Sequence, residues 1–257
     1  MALRPALFLH GFTGSGGSYA QLSADLSDCL VPSCPDLPGH ASAPLPARLG
    51  REGFEATVDS LAAQLPGPSM VIGYSQGARL ALALAVRCPR RVTHLVLESG
   101  TAGLQSPEER ASRQAEDEAR AAMIESQGLD AFIRQWERLP LFSTVPLSAA
   151  LDARRRSHSA TGLAGALRCL GLGVQPDFWP SLPLLQVPTL LLTGGLDPKF
   201  TALARRMADQ LPRARHVTVP NTGHAVHLEA PQRWAAEVRA FATAPIYPEH
   251  PLEELRT

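Results

Sequence analysis

The sequence has few of the features that mark several common classes of protein. Its positive and negative side chains balance to a formal net charge of zero, whereas a protein that binds nucleic acid by counterion release needs a basic excess. Lys199 is the only lysine. The cysteines Cys29, Cys34, Cys88 and Cys169 form no CxxC pair. We therefore expect reduced thiols, no metal site and no nucleic-acid partner.

Long apolar segments are also missing. The sequence contains no run of about 18 apolar residues, the length that a membrane-spanning helix needs. Near its start there is no basic segment followed by an apolar segment and a cleavage site. These absences predict a cytoplasmic protein without membrane insertion, either a monomer or a small homo-oligomer.

Short apolar runs alternate with segments of helical spacing along most of the chain. The predicted strands are 6–10, 31–35, 70–74, 93–98, 187–193 and 216–219, and the predicted helices are 19–30, 54–65, 76–86, 200–211 and 231–241. The strands are apolar on both faces, which is typical of a parallel sheet covered by helices on both sides. The alternation predicts a doubly wound, mostly parallel α/β fold.

This alternation stops after the strand that ends near Glu98. Residues 104–180 show only helical spacing and are predicted to form a helical cap, or lid, over the carboxyl ends of the strands. The remaining residues are then divided into a core of 1–103 and 181–244 and a C-terminal tail of 245–257.

The segment Gly73-Tyr74-Ser75-Gln76-Gly77 lies between a predicted strand and a predicted helix. This is the context of a nucleophile elbow, in which a serine sits on a sharp turn and glycines avoid backbone collisions. The turn exposes the serine hydroxyl beside a helix N-terminus, which can stabilise negative charge. Ser75 is therefore the predicted nucleophile or base.

A serine hydroxyl needs an imidazole to take its proton and a carboxylate to orient that imidazole. In this class of sheet the chain order is serine, acid, histidine. Asp197 and His224 each follow a predicted strand, so they complete the predicted catalytic triad. Two alternatives stay open: Asp197 could be only a helix N-cap, and His227 could take the place of His224.

Two backbone N–H groups are needed to bind a developing negative charge. The residue after the serine, Gln76, should supply one, and Phe12 in the loop 10–14 should supply the other. The alternative for this loop is an ordinary glycine-rich turn. Lys199, near Asp197, is interpreted as a solvated or substrate-facing charge.

Several stretches then resemble a known superfamily: His10-Gly11-Phe12, Asp36-Leu37-Pro38-Gly39-His40, the Ser75 turn and Gly223-His224 resemble the α/β hydrolases. A narrower set, at residues 73–79, 98–104, 109–113, 136 with 140–142, 173–176, 197–200 and 224–229, resembles the 2-succinyl-6-hydroxy-2,4-cyclohexadiene-1-carboxylate (SHCHC) synthase family. The resemblance implies an α/β-hydrolase fold and a lyase of menaquinone biosynthesis that expels pyruvate without a cofactor.

The same resemblance implies the residues that bind a small polycarboxylate substrate. They are Tyr74, Arg79, Arg113, Trp136 and Arg155. Arginine is suited to this task because its planar guanidinium forms paired hydrogen bonds with a carboxylate.

The sequence departs from the family pattern at Gly77-Ala78, where many members have a further glycine. It departs again around Arg155, where residues 154–156 are all arginine, so which of the three faces the pocket stays open. Two other functions also remain open. One is a hydrolase that acts on an ester or a carbon–carbon bond of a small acid, and the other is a non-catalytic binding protein of the same fold.

Overall fold

A computed structural model describes residues 3–244 of the chain, so the predicted tail at 245–257 lies outside the described residues. Its strands are β1 (Arg4–Leu9), β2 (Leu30–Ser33), β3 (Ser69–Tyr74), β4 (Val92–Glu98), β5 (Thr189–Gly194) and β6 (Ala214–Val219). They form one parallel sheet in the order β2-β1-β3-β4-β5-β6. The predicted doubly wound parallel sheet is confirmed.

Ten α-helices surround or extend this sheet within the described range. They are α1 (Ala20–Asp25), α2 (Gly50–Gln64), α3 (Gln76–Arg87), α4 (Pro107–Gln127), α5 (Leu129–Trp136), α6 (Ala149–Arg156), α7 (Ala160–Leu170), α8 (Pro198–Ala208), α9 (Val226–Glu229) and α10 (Pro231–Thr243). In the same part of the chain, no helix is both long enough and apolar enough to cross a membrane.

Both faces of the sheet are buried because successive side chains point to opposite sides of each strand. Leu7 and Leu9 pack into a core with α2, α3 and α8, whereas Ala6 and Phe8 pack into a second core with α1 and α10. Trp234 of α10 is fully buried in that second core. Two apolar faces on each strand explain the continuous apolar runs in the sequence.

The segment between β4 and β5 contains the helices α4–α7, as the sequence predicted. Helix α4 begins where the Ser106 side chain accepts hydrogen bonds from the N–H groups of Glu108 and Glu109, with Pro107 in the first turn. Helices α4, α5 and α7 share a small apolar core that includes Ile124 and Phe132. This segment therefore carries an apolar cluster of its own.

One helix prediction, over residues 19–30, was wrong in its extent. A 3₁₀ turn covers Gly16–Tyr19, and α1 ends at Asp25. The N–H groups of Cys29 and Leu30 bond to the Leu26 carbonyl in a turn, and Leu30 then pairs with Arg4 as the first residue of β2. The apolar pattern continues to Leu30, but the last of these residues belong to a turn and to β2 instead of the helix.

The sheet order reverses beside β1, because β2 lies on one side of it and β3 on the other. Ligands of open α/β sheets bind at the carboxyl ends of the strands at such a switch point. The loop after β1 contains Phe12, and the turn after β3 contains Ser75. The topology therefore brings the predicted nucleophile and the predicted oxyanion loop to one crevice.

Two glycines allow the chain to turn from β3 into α3. A Cβ atom on Gly77 would lie 2.0 Å from the Leu9 carbonyl oxygen, and one on Gly73 would lie 2.3 Å from the Gly77 oxygen. Both neighbours are backbone atoms of the packed sheet or turn, which cannot move aside without disturbing the strands.

We expect Gly77→Ala to lower the free energy of unfolding by at least about 2 kcal/mol, because the collision is with backbone. Gly67→Ala is the matched control, since a Cβ there meets nothing within 4 Å, and it should change stability by less than about 0.5 kcal/mol. Urea denaturation of the two variants measures both values. Equal stability of the two variants would contradict the close packing at Gly77.

Candidate active site

Ser75 occupies a strained backbone position at the N-terminus of α3. Its φ is +50°, a conformation that costs energy for a residue with a side chain. The N–H of Ser75 donates to the Glu98 carbonyl at 2.8 Å, which ties the turn to the end of β4. The strain is maintained by the surrounding sheet and places the hydroxyl at the sheet edge.

His224 connects Ser75 to Asp197 by two hydrogen bonds. Its Nε2 lies 3.1 Å from Ser75 Oγ, and its Nδ1 lies 2.7 Å from Asp197 Oδ2. An ionised Asp197 can only accept, so Nδ1 carries the proton and Nε2 is free to accept the serine proton. His224 is 1% exposed and Asp197 is 5% exposed, so bulk water does not compete for these bonds.

Asp197 is also a helix cap, as the alternative interpretation suggested, and it makes this contact at the same time as the one to His224. Its Oδ1 accepts the Phe200 N–H at 3.2 Å at the start of α8, while Oδ2 faces His224. One carboxylate therefore caps a helix and orients an imidazole. The cap fixes the rotamer of Asp197, which in turn fixes the position of the imidazole.

His227 does not take the place of His224. Its Nδ1 lies 2.8 Å from Glu98 Oε1, and Glu98 Oε2 accepts the Trp234 indole N–H at 2.8 Å. The His227 ring is separated from the site by Tyr74, whose ring centroid lies 4.5 Å from that of His227 and 5.4 Å from that of His224. His227 thus belongs to a neighbouring buried pair.

A cavity of about 280 Å³ opens in front of the Ser75 hydroxyl. Its lining includes Ser75, Gln76, Arg79, Arg113, Phe12, Lys199, Phe200 and His224. Gln76 is the first residue of α3, so its N–H has no acceptor inside the helix. The predicted nucleophile, both residues predicted to supply N–H donors and two of the three predicted arginines therefore border one space.

No carboxylate among residues 3–244 forms a hydrogen bond with the buried cation Arg79. It is 8% exposed, and it donates to the Leu170 carbonyl at 2.8 Å and to Gln175 Oε1 at 3.4 Å. Burial, followed by repulsion from Arg113, lowers the pKa of Arg79 to about 9, so it stays positively charged at neutral pH. Arg113 pairs with Asp117 at 2.9 Å. The cavity therefore has a positive wall that favours an anion.

The other predicted binding residues, Tyr74, Trp136 and Arg155, do not line this cavity. Tyr74 and Arg155 line a second cavity of about 30 Å³, the size of about one water molecule. Arg155 is 4% exposed and pairs with Glu137 at 2.9 Å. Arg154 borders this cavity too, whereas Arg156 pairs with Asp130 and Asp152.

Trp136, although predicted to bind substrate, borders neither of these two cavities. Its ring packs against Phe12, Phe132 and Phe142, with centroids 5.2, 5.6 and 5.3 Å away. The indole nitrogen is buried and has no hydrogen-bond partner within the described range. Trp136 thus contacts Phe12, which lines the larger cavity, but does not line that cavity itself.

Sequence reasoning did not identify Phe200 as a site residue. Its ring centroid lies 4.4 Å from that of His224 at an interplanar angle of 62°, so it packs against the imidazole and lines the larger cavity. The available signal was its position three residues after Asp197, in the first turn of the helix that Asp197 caps.

A family model described as the alpha/beta hydrolase family matches residues 6–237. The SHCHC synthase of Escherichia coli is 32% identical over 234 residues, which cover 88% of each chain. A Bacillus subtilis protein that provisionally carries the same name is 37% identical over 246 residues, covering 92% of this chain and 89% of that one. The chain belongs to the SHCHC synthase family of α/β hydrolases. Among solved structures, this chain is similar to MenH from S. aureus. The TM-score is 0.87 and the sequence identity is 29%, over 94% of each chain.

We expect Arg79→Met to change the free energy of unfolding by less than about 1 kcal/mol, because relief of a buried unpaired charge offsets the two lost hydrogen bonds. The same change should abolish binding of succinate, used as a dicarboxylate probe. Urea denaturation and calorimetric titration measure the two effects.

Arg87→Met is the matched control, because Arg87 lies on the same helix but is exposed and pairs with Asp59. It should leave succinate binding unchanged. Unchanged binding in Arg79→Met as well would remove Arg79 from the anion site.

Proposed function

We propose that this chain is an SHCHC synthase. It would eliminate pyruvate from 2-succinyl-5-enolpyruvyl-6-hydroxy-3-cyclohexene-1-carboxylate to give 2-succinyl-6-hydroxy-2,4-cyclohexadiene-1-carboxylate, a step of menaquinone biosynthesis. The observation that carries the proposal is the Ser75–His224–Asp197 hydrogen-bonded chain, which opens into a cavity walled by Arg79 and Arg113 in a member of this family.

In the proposed reaction, the hydrogen-bonded chain of Ser75, His224 and Asp197, called the relay below, acts as a base. His224 Nε2 takes the Ser75 proton as the serine oxygen removes a proton from the substrate ring. The electron pair of that C–H bond forms the new double bond, and the carbon–oxygen bond to the enolpyruvyl group breaks. The imidazolium returns a proton to the leaving group, which becomes pyruvate. Asp197 stabilises the transient imidazolium.

Negative charge that develops on the substrate needs donors that are already in place. We assign this role to the N–H groups of Gln76 and Phe12, beside the N-terminus of α3. Arg79 and Arg113 then hold substrate carboxylates and orient the ring over Ser75. These groups supply acid–base chemistry, charge stabilisation and orientation, so the proposed steps use no metal or organic cofactor.

Tyr74, Trp136 and Arg155 are proposed as further substrate-binding residues. None of them lines the cavity at Arg79, whereas Phe12 borders both that cavity and the one lined by Tyr74 and Arg155. A substrate that touches Arg79 and Arg155 together therefore requires the Phe12 ring to move or the segment 104–180 to shift as a cap. The unpartnered indole N–H of Trp136 would gain an acceptor in that arrangement.

We further propose that residues 1–103 and 181–244 act as the core and that residues 104–180 act as the cap. The protein is proposed to work in the cytoplasm on a small polycarboxylate, as a monomer or small homo-oligomer. A carboxylesterase or carbon–carbon bond hydrolase remains the alternative activity, because the same relay also serves acyl transfer.

The test is pyruvate release from the enzymatically prepared enolpyruvyl precursor, followed with lactate dehydrogenase and NADH. The unchanged protein should release pyruvate, and Ser75→Ala should lower kcat by about 10³-fold or more with an unchanged unfolding temperature. Ser126→Ala is the control, because Ser126 is exposed and its hydroxyl donates to carbonyls of its own helix, α4. Rapid hydrolysis of p-nitrophenyl esters without pyruvate release would instead support the hydrolase alternative.

A further inference from the structure

His224 lies in a short connection that has no place in the sheet. Strand β6 ends at Val219, and α9 begins at Val226. The intervening residues therefore lack the ladder hydrogen bonds that hold a strand in place. Nevertheless, the imidazole has to remain within hydrogen-bond distance of two partners, Ser75 and Asp197. Some other interaction must fix this connection.

The carboxylate of Glu229, at the end of α9, bonds to the backbone on both sides of His224. Its Oε2 accepts the Gly223 N–H at 2.7 Å, and its Oε1 accepts the Ala225 N–H at 3.2 Å. Ala225 is the N-cap of α9, so one of these bonds also satisfies a helix terminus. Hydrogen bonds to a charged acceptor are shorter and stronger than those between neutral groups.

A second hydrogen bond holds the His224 carbonyl. Ser99 Oγ donates to the His224 carbonyl at 2.8 Å. Ser99 is fully buried, and its own N–H donates to the Leu192 carbonyl at 2.9 Å, so this tether is anchored in the sheet. The backbone of His224 is thus held between a serine fixed to the sheet and a carboxylate on α9.

We propose that Glu229 is a positioning residue for His224. By binding the N–H groups of Gly223 and Ala225 at once, it fixes the peptide planes that set the direction of the His224 side chain. Small displacements of a catalytic group are costly, and a shift of about 1 Å can lower a rate by about 100-fold. Ser99 supports the same segment, but Glu229 is the only group within the described residues seen to hold both neighbouring N–H groups.

The inference rests on the proposed role of His224 as a base, so its test uses a reaction that does not depend on the natural substrate. A fluorophosphonate reacts with a serine oxygen, which displaces fluoride from phosphorus while His224 takes the serine proton. Mass spectrometry of the intact protein gives the maximal labelling rate and the half-saturating probe concentration. Ser75→Ala must show no labelling at this position.

Glu229→Gln keeps the shape of the side chain but offers an acceptor to only one of the two N–H groups. We expect its maximal labelling rate to fall at least about tenfold, with the half-saturating concentration within about twofold. Glu229→Asp retains the charge and should recover part of the rate. Glu55→Gln is the control, because Glu55 forms an exposed ion pair with Arg51 on α2, and its rate should not change.

A spectroscopic measurement gives a second readout that needs no reaction. The proton between His224 Nδ1 and Asp197 should give a low-field NMR signal in the unchanged protein and in Glu55→Gln. In Glu229→Gln, at a temperature where circular dichroism shows a folded protein, we expect this signal to shift and broaden.

An unchanged labelling rate together with an unchanged signal in Glu229→Gln overturns the inference, and so does an equal loss of rate in Glu55→Gln. If the unchanged protein releases no pyruvate but both readouts depend on Glu229, the proposed synthase function fails while the positioning role stands.

Discussion

The backbone conformation at Ser75 is the constraint on which the rest of the site depends. With φ at +50°, Ser75 belongs to neither β3 nor α3. Its hydroxyl lies at the edge of the sheet, within hydrogen-bond distance of His224. The turn is possible only because Gly73 and Gly77 leave room for neighbouring backbone. The packed sheet maintains the strain and so determines where the reacting oxygen lies.

Electrostatics then determine what kind of molecule suits the cavity. Arg79 is buried, donates to two neutral acceptors, and is repelled by Arg113 and more weakly attracted by Asp117. A buried charge of this kind is costly until an anion pairs with it. A carboxylate bound beside Arg79, as proposed, would offset this cost.

Much of this arrangement could be predicted from the sequence because it depends on local pattern. Alternating apolar runs indicated the parallel sheet, and the order Ser75, Asp197, His224 placed three polar residues after three strands. The helix that was predicted to reach Leu30 shows where local pattern fails. Its end was decided by the pairing of Leu30 with Arg4, a contact between segments that are distant in sequence.

The sequence by itself determined the fold class and the elbow, and spacing and residue type indicated Ser75, Asp197 and His224, with His227 left open in place of His224. Only the tertiary structure decided that Arg79 and Arg155 line two different cavities and that Phe12 borders both. It also decided that His227 pairs with Glu98 and that Glu229 holds the backbone beside His224. Such choices depend on how side chains from separate elements pack, and no periodicity along the chain encodes that packing.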